Sequence, residues 1–475
     1  MLNIGNKLEV FWDDYLLDTE KTTAAHEICH PVKQGYCHIF DNGLEKSRIS
    51  YPNILKTKDG YRVYYVTRYK HSERGNLCVC ESKDGLNWSA PDLCLFPYPE
   101  AEAENAPNNM VIKDLQDGFF VMYDENPDCP PDKKYKAIGC VYIRDENGKE
   151  LDRQLWCYTS PDGYHFSEPY FLTNDGYFDT LNILLYRNGK YCCYIRSDHP
   201  VRGPENTGPN GKTRDVKLIY SDDFETWTPA KEIEYFDGKD FQMYTNHILP
   251  YERAPHILIG FPTRYCERAK WCENDEQFGS VKEKKSRIEI YKNLREGLAL
   301  TDAMFMMSRD GEKFYRYNDA FLTPGLETTE NWIYGDCYFS YNMIEADEQN
   351  YYLYMIEKPG IVGGKPWAYY KMRKDGFACI AAGGDAKEVV TKPLTFEGKD
   401  LHLNFSTSAF GNIYVDVLDR DGNPIEGATS FEIYGDTVDR KITFADGTSF
   451  ERFANTPIRL RFRMCEAKLY SMWFK

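Results

Sequence analysis

Carboxylates that fall where strands begin or end are the residues best placed to do chemistry in this chain. Asp13 and Asp14 lie in FWDDYLL, Asp179 in YFDTLN and Asp336 in IYGDCYF. Asp124 and Glu125 lie in VMYDENP, Glu357 in LYMIEKPG, and Glu45 just before the first long strand. Two carboxyl groups in unlike surroundings are what cleavage of a glycosidic bond requires. One is protonated and helps the leaving oxygen depart; the other is ionised and serves as base or nucleophile. Basic residues occupy similar positions: Arg196 in CYIRSDHP, Arg214 in KTRDVKL and Arg264 in GFPTRYC. Such an Arg holds an anionic sugar or a carboxylate, or simply braces an ion pair. Tyr244 offers a ring for an apolar sugar face and a hydroxyl to hydrogen-bond. His199 and His247 have no metal-ligand spacing, no GxSxG elbow occurs, and no glycine-rich phosphate loop is present. The expectation is therefore an acid-based site with no metal and no cofactor.

The elements that must position these groups are announced by a repeat. SKDGLNW at Ser82–Trp88 returns as SPDGYHF at Ser160–Phe166, SDDFETW at Ser221–Trp227 and SRDGEKF at Ser308–Phe314, with a worn copy, MRKDGF, ending at Phe377. Each copy follows a stretch of period-2 or apolar character, the mark of a strand. Asp and Gly are turn residues, because Asp bonds nearby amides and Gly accepts positive φ. The motif reads as a hairpin corner and its Asp as structural. A strand–turn–strand unit precedes each corner, for example YPNILKTKDGYRVYYV and NNMVIKDLQDGFFVMY. Together they give four strands a unit and five units, which is a five-bladed β-propeller. Helical periodicity is nearly absent. Lys7–Leu17 is expected to supply a strand closing the ring or its rim. After Thr391 the alternation becomes cleaner, with DG and GN turns, and reads as a small antiparallel β-sandwich. The fold class is all-β, with residues 1–390 as the propeller and 391–475 as the sandwich. In such a ring the first strands of all blades converge on an axial funnel, the natural place for the carboxylates.

Composition narrows the partners. The 475 residues carry 74 Asp and Glu against 58 Lys and Arg, a formal charge of −16, which disfavours nucleic acid. Aromatics reach 15%, suiting strands and sugar clefts alike. No signal-peptide pattern opens the chain and no run of 18 apolar residues suggests a membrane span. The 15 cysteines are odd in number and scattered, which reads as free thiols in a reducing cytoplasm. Oligomeric state is not legible.

The segments VFWDDYLL, NNMVI, YDENPDCPPDKKYKA, FDTLN, YSDDFETW and SRDGEKFYR, with the tail TKPLTFEGKDLHLNFSTSAFGNIYVDVLDRDGNPIEGA, resemble bacterial proteins described as glycoside hydrolase family 32-like. That resemblance implies a five-bladed propeller with a C-terminal β-sandwich, in the superfamily of the family 32 fructosidases and family 43 arabinosidases. It also implies glycoside hydrolysis at the funnel. The first acid, as base or nucleophile, corresponds to Asp14 or its neighbour Asp13. Asp179 takes the second, transition-state role, and Glu357, Glu125 or Glu45 the general acid. Asp13, Asp124, Arg196, Arg214, Tyr244, Arg264 and Asp336 are the expected substrate contacts. The WMNDPNG, RDP and EC motifs of true family 32 members are absent, so their fructoside specificity does not carry over.

The leading expectation is a cytoplasmic glycosidase removing a terminal sugar, plausibly a furanoside, from an oligosaccharide. A phosphorylase would need cations beside the acid, for which Arg196, Arg214 and Arg264 are candidates. A non-catalytic glycan-binding propeller would leave its carboxylates ion-paired.

Overall fold

A computed structural model describes residues 1–37, 49–67, 75–97, 108–115, 117–206, 211–357, 367–447 and 449–475. Five sheets carry the expected repeat. Blade 1 runs Ser50–Thr57, Gly60–Thr67, Gly75–Ser82, Trp88–Ser89, and blade 2 runs Asp117–Tyr123, Tyr135–Arg144, Glu150–Ser160, Tyr170–Thr173. Blade 3 runs Ile183–Arg187, Lys190–Pro200, Lys212–Ser221, Lys231–Glu232. Blade 4 starts at Leu249–Tyr251, continues through Ala254–Gly260, Met306–Ser308 and Lys313–Arg316, and takes Glu234–Tyr235 on its outer edge. Blade 5 has Tyr338–Phe339 and Ile344–Glu345 innermost, then Asn350–Ile356 and Trp367–Arg373. The chain is all-β: a five-bladed propeller followed by a β-sandwich.

Three expectations about single segments change. The ring is closed by Val32–Cys37, which pairs with Trp367–Arg373 as the last strand of blade 5. Lys7–Leu17 instead gives Glu9–Val10, which pairs with Ile458–Phe474 of the sandwich. Met110–Leu115, expected to open blade 2, lies along the outer edge of Gly75–Ser82 in blade 1, and blade 2 begins at Asp117. Helices do occur: Glu273–Gln277, Val281–Tyr291 and Arg295–Leu298 interrupt the middle hairpin of blade 4. That hairpin continues past the blade as Thr263–Glu267 and Ala299–Ala303.

The corners show what the repeat does. In each of the first four copies the Ser hydroxyl bonds the Asp carboxylate and accepts the amide just after it, and the Asp accepts the amides two and three residues on. At Asp162, for instance, Tyr164 N and His165 N donate at 2.8 and 2.9 Å. The Asp residues are thus turn acceptors. The glycines have a further role. Tyr64 of blade 1 donates to Gly163 O of blade 2 at 2.9 Å, Tyr194 of blade 3 to Gly311 O of blade 4 at 2.8 Å, and Tyr354 of blade 5 to Gly85 O of blade 1 at 2.8 Å. A Cβ on Gly163 would lie 2.4 Å from Tyr64 Oη, and φ there is +78°, so only glycine fits. Tyr64 and Tyr194 lie three residues past the strand partner of the corner serine, and in blade 2 that position holds Ile138. The corner it faces, in blade 3, carries Phe224 instead of glycine. At these four joints hydroxyl and glycine are kept or lost together; at the fifth the equivalent position is Phe261, and Gly376 remains.

The fifth copy is buried under the sandwich. Asp375 is fully buried and takes Tyr251 Oη at 2.5 Å, Asn404 Nδ2 at 3.0 Å and Ser471 Oγ at 2.6 Å, while its carbonyl accepts Trp12 Nε1 at 2.9 Å. The sandwich is one ten-stranded sheet built on two long strands, Leu401–Asp419 and Ile458–Phe474. It also recruits Leu2–Gly5, Ala25–Ile28, Ala378–Ala382 and Lys387–Val390, so its pairing crosses the expected 390/391 boundary. All fifteen cysteines are free thiols and ten are buried. Among the described residues no helix is long and apolar enough to cross a membrane.

Removing a buried donor while leaving its acceptor sealed costs about 1–3 kcal/mol. Tyr64→Phe and Tyr194→Phe should each lower stability by about that much, read as a drop in the thermal midpoint. Tyr186→Phe, which removes no described hydrogen bond, should change it by less than about 0.5 kcal/mol.

Candidate functional site

The four corners that keep the serine lie at one end of the blades, and the starts of the inner strands lie at the other. This second end forms a mouth, closed below by packed rings such as Phe120 edge-on to Tyr341 at 4.7 Å. Asp179 stands at the mouth, in the loop leading into blade 3. Arg153 Nη1 of blade 2 reaches its Oδ2 at 2.8 Å, and Arg196 Nε of blade 3 lies 3.5 Å from its Oδ1. Asp179 Oδ1 and Arg196 Nε are both buried and neither has a hydrogen-bond partner. Buried polar atoms are nearly always paired, and here the two have each other, as an ion pair too long for a hydrogen bond.

The tyrosines come from blades 4 and 5. Tyr244 and Tyr265 stack at 6.0 Å and 22°, Tyr334 Oη donates to Tyr244 Oη at 2.7 Å, and Tyr338 lies 5.7 Å from Tyr244. Burial, then Tyr334 and the Asp179 charge, push the Tyr244 phenol well up, so it stays a neutral donor. Arg214 lies over Tyr265 at 4.3 Å and donates to Gln242 Oε1 at 2.5 Å. Tyr265 Oη donates to Glu267 Oε2 at 2.5 Å, and Glu267 is only 5% exposed. Glu267 is thus bonded to one ring of the stacked pair, and Thr180, beside Asp179, bonds the backbone of the other.

Of the expected site residues, Asp179, Arg196, Arg214 and Tyr244 meet here. The others do not. Asp13 is clamped by Arg309 at 2.9 and 3.2 Å, and the same Arg reaches Glu9 at 2.6 Å. Arg309 belongs to a corner, and its carbonyl is bonded by Arg187, the strand partner of Lys190. From Lys190 to Arg196 the strand rises roughly 20 Å at ~3.3 Å a residue, so Asp13 is at the wrong end of the blades to meet Asp179. Asp14 pairs with His26 at 3.0 Å in a flank cavity of 570 Å³ that also holds Tyr15, Phe236, Arg309 and Tyr315. The charged walls of that cavity are already paired, as Arg316 is with Asp237 at 2.8 Å.

Asp124 is buried against Lys136 and accepts Tyr191 Oη at 2.7 Å, and Glu125 follows it into the connection that leaves the inner strand at the corner end. Glu357 is held by Lys33 at 2.6 Å, Tyr36 at 2.9 Å and Tyr370, all on the two outer strands of blade 5. Asp336 is buried and accepts Ile333 N at 3.2 Å, a turn contact. Arg264 forks onto Asp302 at 2.9 and 2.6 Å, an ion-pair strut. Glu45 lies outside the described residues.

Sequence reasoning missed Arg153, Tyr265, Glu267, Tyr334 and Arg295. For two of them a signal existed. Side chains alternate along Thr263–Glu267, so choosing Arg264 selects the outer face, whereas Tyr265 and Glu267 share the inner one.

His247 lies under this mouth, its Nδ1 3.1 Å from Phe261 O. Burial pushes its pKa down to about 4. Between about pH 6.5 and 4 the unfolded chain binds this proton and the folded chain does not, so stability falls as pH falls across that window. The loss reaches about 3 kcal/mol at pH 4. His247→Gln should flatten that part of the stability–pH curve in denaturant titrations, leaving the loss below pH 4 unchanged.

No protein-family model and no curated protein matches the chain. Solved structures similar to it include a sucrose-6-phosphate hydrolase from Lactobacillus gasseri, 12% identical, covering 92% of this chain and 93% of that one at a TM-score of 0.40. A β-fructofuranosidase of Bombyx mori is 9% identical, covering 91% and 93% at 0.40. An N-acetylgalactosamine deacetylase from F. plautii is 11% identical, covering 74% and 96% at 0.44. At these scores the chemistry has to be read from the site's own residues.

Proposed function

We propose that the protein cleaves a glycosidic bond at the axial mouth, with hydrolysis as the reaction and Asp179 and Glu267 as the acting carboxylates. The observation that carries this reading is a part-exposed Asp179 between two guanidiniums, next to a Thr180 that bonds Tyr244 of the stack whose other ring holds Glu267. Tyr244, the part-exposed ring of the stack, gives an apolar sugar face somewhere to lie, and its hydroxyl orients it. The two carboxylates sit in unlike surroundings, one among guanidiniums at the surface and one buried. Asp179 is half-exposed and held between two guanidiniums, which suits the base or nucleophile. Glu267 is buried and held in place by Tyr265, and we assign it the part of the acid that protonates the departing oxygen. We read the mouth as taking the end of a chain, because rings on the inner strands, such as Phe120 against Tyr341, pack together below it. The roles drawn from the resemblance therefore shift: Asp179 replaces Asp14 as base or nucleophile, and Glu267 stands where Glu357, Glu125 or Glu45 were expected.

The test is a panel of nitrophenyl glycosides and short oligosaccharides. On the best substrate, Asp179→Asn and Glu267→Gln should each lower kcat by about 10²–10⁴-fold with unchanged melting. Asp14→Asn should stay within about twofold of the parent, because it removes no group at the mouth. Full activity in Asp179→Asn would end the proposal.

A further inference from the structure

The mouth carries more positive charge than its carboxylates balance, in a chain whose formal charge is −16. Four guanidiniums gather on the tyrosine cluster. Arg214 lies 4.3 Å from the Tyr265 ring and 5.8 Å from that of Tyr244. Arg295 lies 4.7 Å from Tyr334 and 5.7 Å from Tyr265, and Arg287 lies 5.8 Å from Tyr334. Arg196, 7% exposed, stands by Asp179. Among the described residues neither Arg214 nor Arg295 has a carboxylate partner. Arg214 donates only to Gln242, and Arg295 Nε is buried without a hydrogen bond. Arg287 gives one nitrogen to Glu296 at 3.0 Å, while its Nε and Nη1 are buried and unbonded.

Burying guanidiniums without counter-charges is costly, and aromatic faces offset only part of that cost. A structural strut would look like Arg264, with both arms of its fork on one carboxylate. Arg214 and Arg295 are instead part-exposed forks on the same tyrosines, and a guanidinium fork matches phosphate or sulfate oxygens two at a time. Resting on the reading of the mouth as a glycoside site, we infer that Arg214 and Arg295, with Arg196 beside Asp179, form a subsite for a tetrahedral oxyanion. The charge comes from one of two sources. It is an ester on the sugar itself, or it is free phosphate entering as co-substrate. In the second case a phosphate oxygen forms the bond to the anomeric carbon as the glycosidic C–O bond breaks. Glu267 gives its proton to the departing oxygen and regains one from hydrogen phosphate, so the products are a sugar phosphate and an alcohol.

The experiment is calorimetric titration of the full chain with inorganic phosphate, inorganic sulfate and glucose 6-phosphate, repeated on Arg214→Met and Arg295→Met. At least one anion should bind with Kd below about 10 mM, weakened about tenfold or more in each variant. A glycoside cleaved only when phosphate is present, releasing a sugar phosphate, assigns the free-phosphate source. Glucose 6-phosphate binding about tenfold tighter than phosphate, with phosphate acting only as inhibitor, assigns the ester. No binding by any of the three, or equal binding in both variants, overturns the inference even if neutral glycosides are cleaved. Anion binding with no glycoside cleaved keeps the subsite and removes the glycosidase reading instead.

Discussion

A phenol hydroxyl sealed between two sheets must have an acceptor, and this fold is organised around supplying it. At three of the five joints between blades the acceptor is a glycine carbonyl in the corner of the next sheet. The bond sets the angle and height at which neighbouring blades meet, because a corner shifted by one residue would leave both groups unpaired in a place water does not reach. At the joint where the hydroxyl is missing, an apolar side chain, Phe224, fills the corner and packs on Tyr191 at 4.8 Å. At the last joint, Tyr251 turns to Asp375, and that carboxylate also binds Asn404 and Ser471. The same kind of contact that joins blade to blade thus joins the propeller to the sandwich.

This arrangement gives the ring two unlike ends. The corner end is occupied by turns whose Asp residues accept backbone amides, and in the corners at Asp162 and Asp223 those bonds help hold the carboxyls down at about 2, burial opposing at Asp162. Such groups are structural and stay ionised at any working pH. The opposite end has no repeat to satisfy, so its side chains vary from blade to blade. A carboxylate between two Arg, a tyrosine stack and a buried Glu meet there because they come from different blades. Distance along the chain therefore says little about the site: Asp179 and Glu267 lie on neighbouring blades, whereas Asp13 and Asp14 are drawn to a corner by Arg309 and His26.

Blade number, corner positions and the sandwich were legible in the sequence because each is periodic, and period-2 alternation with DG turns leaves few alternatives. Single strands without a repeat were not. Val32–Cys37 closes the ring from a stretch, VKQGYC, that resembles any short edge strand, and Met110–Leu115 reads as an inner strand yet pairs outward. At the site, Asp179, Arg196, Arg214 and Tyr244 were recognisable as polar or aromatic groups at strand ends. Arg264 and Tyr265 show the limit: one residue of register decides which of them faces the mouth. Asp14 drew attention through its apolar neighbours, but those neighbours, Phe11 and Trp12, are fully buried at the junction with the sandwich rather than on the axis.

The central claim is that the mouth, and not the flank cavity beside Asp14, receives the sugar. The most direct measurement is a crystal structure of the protein soaked with an oligosaccharide that it binds. The account places the terminal ring against Tyr244, with a hydroxyl on the Asp179 carboxylate. Sugar density seated among Tyr15, Phe236 and Tyr315, with the mouth empty, would contradict it.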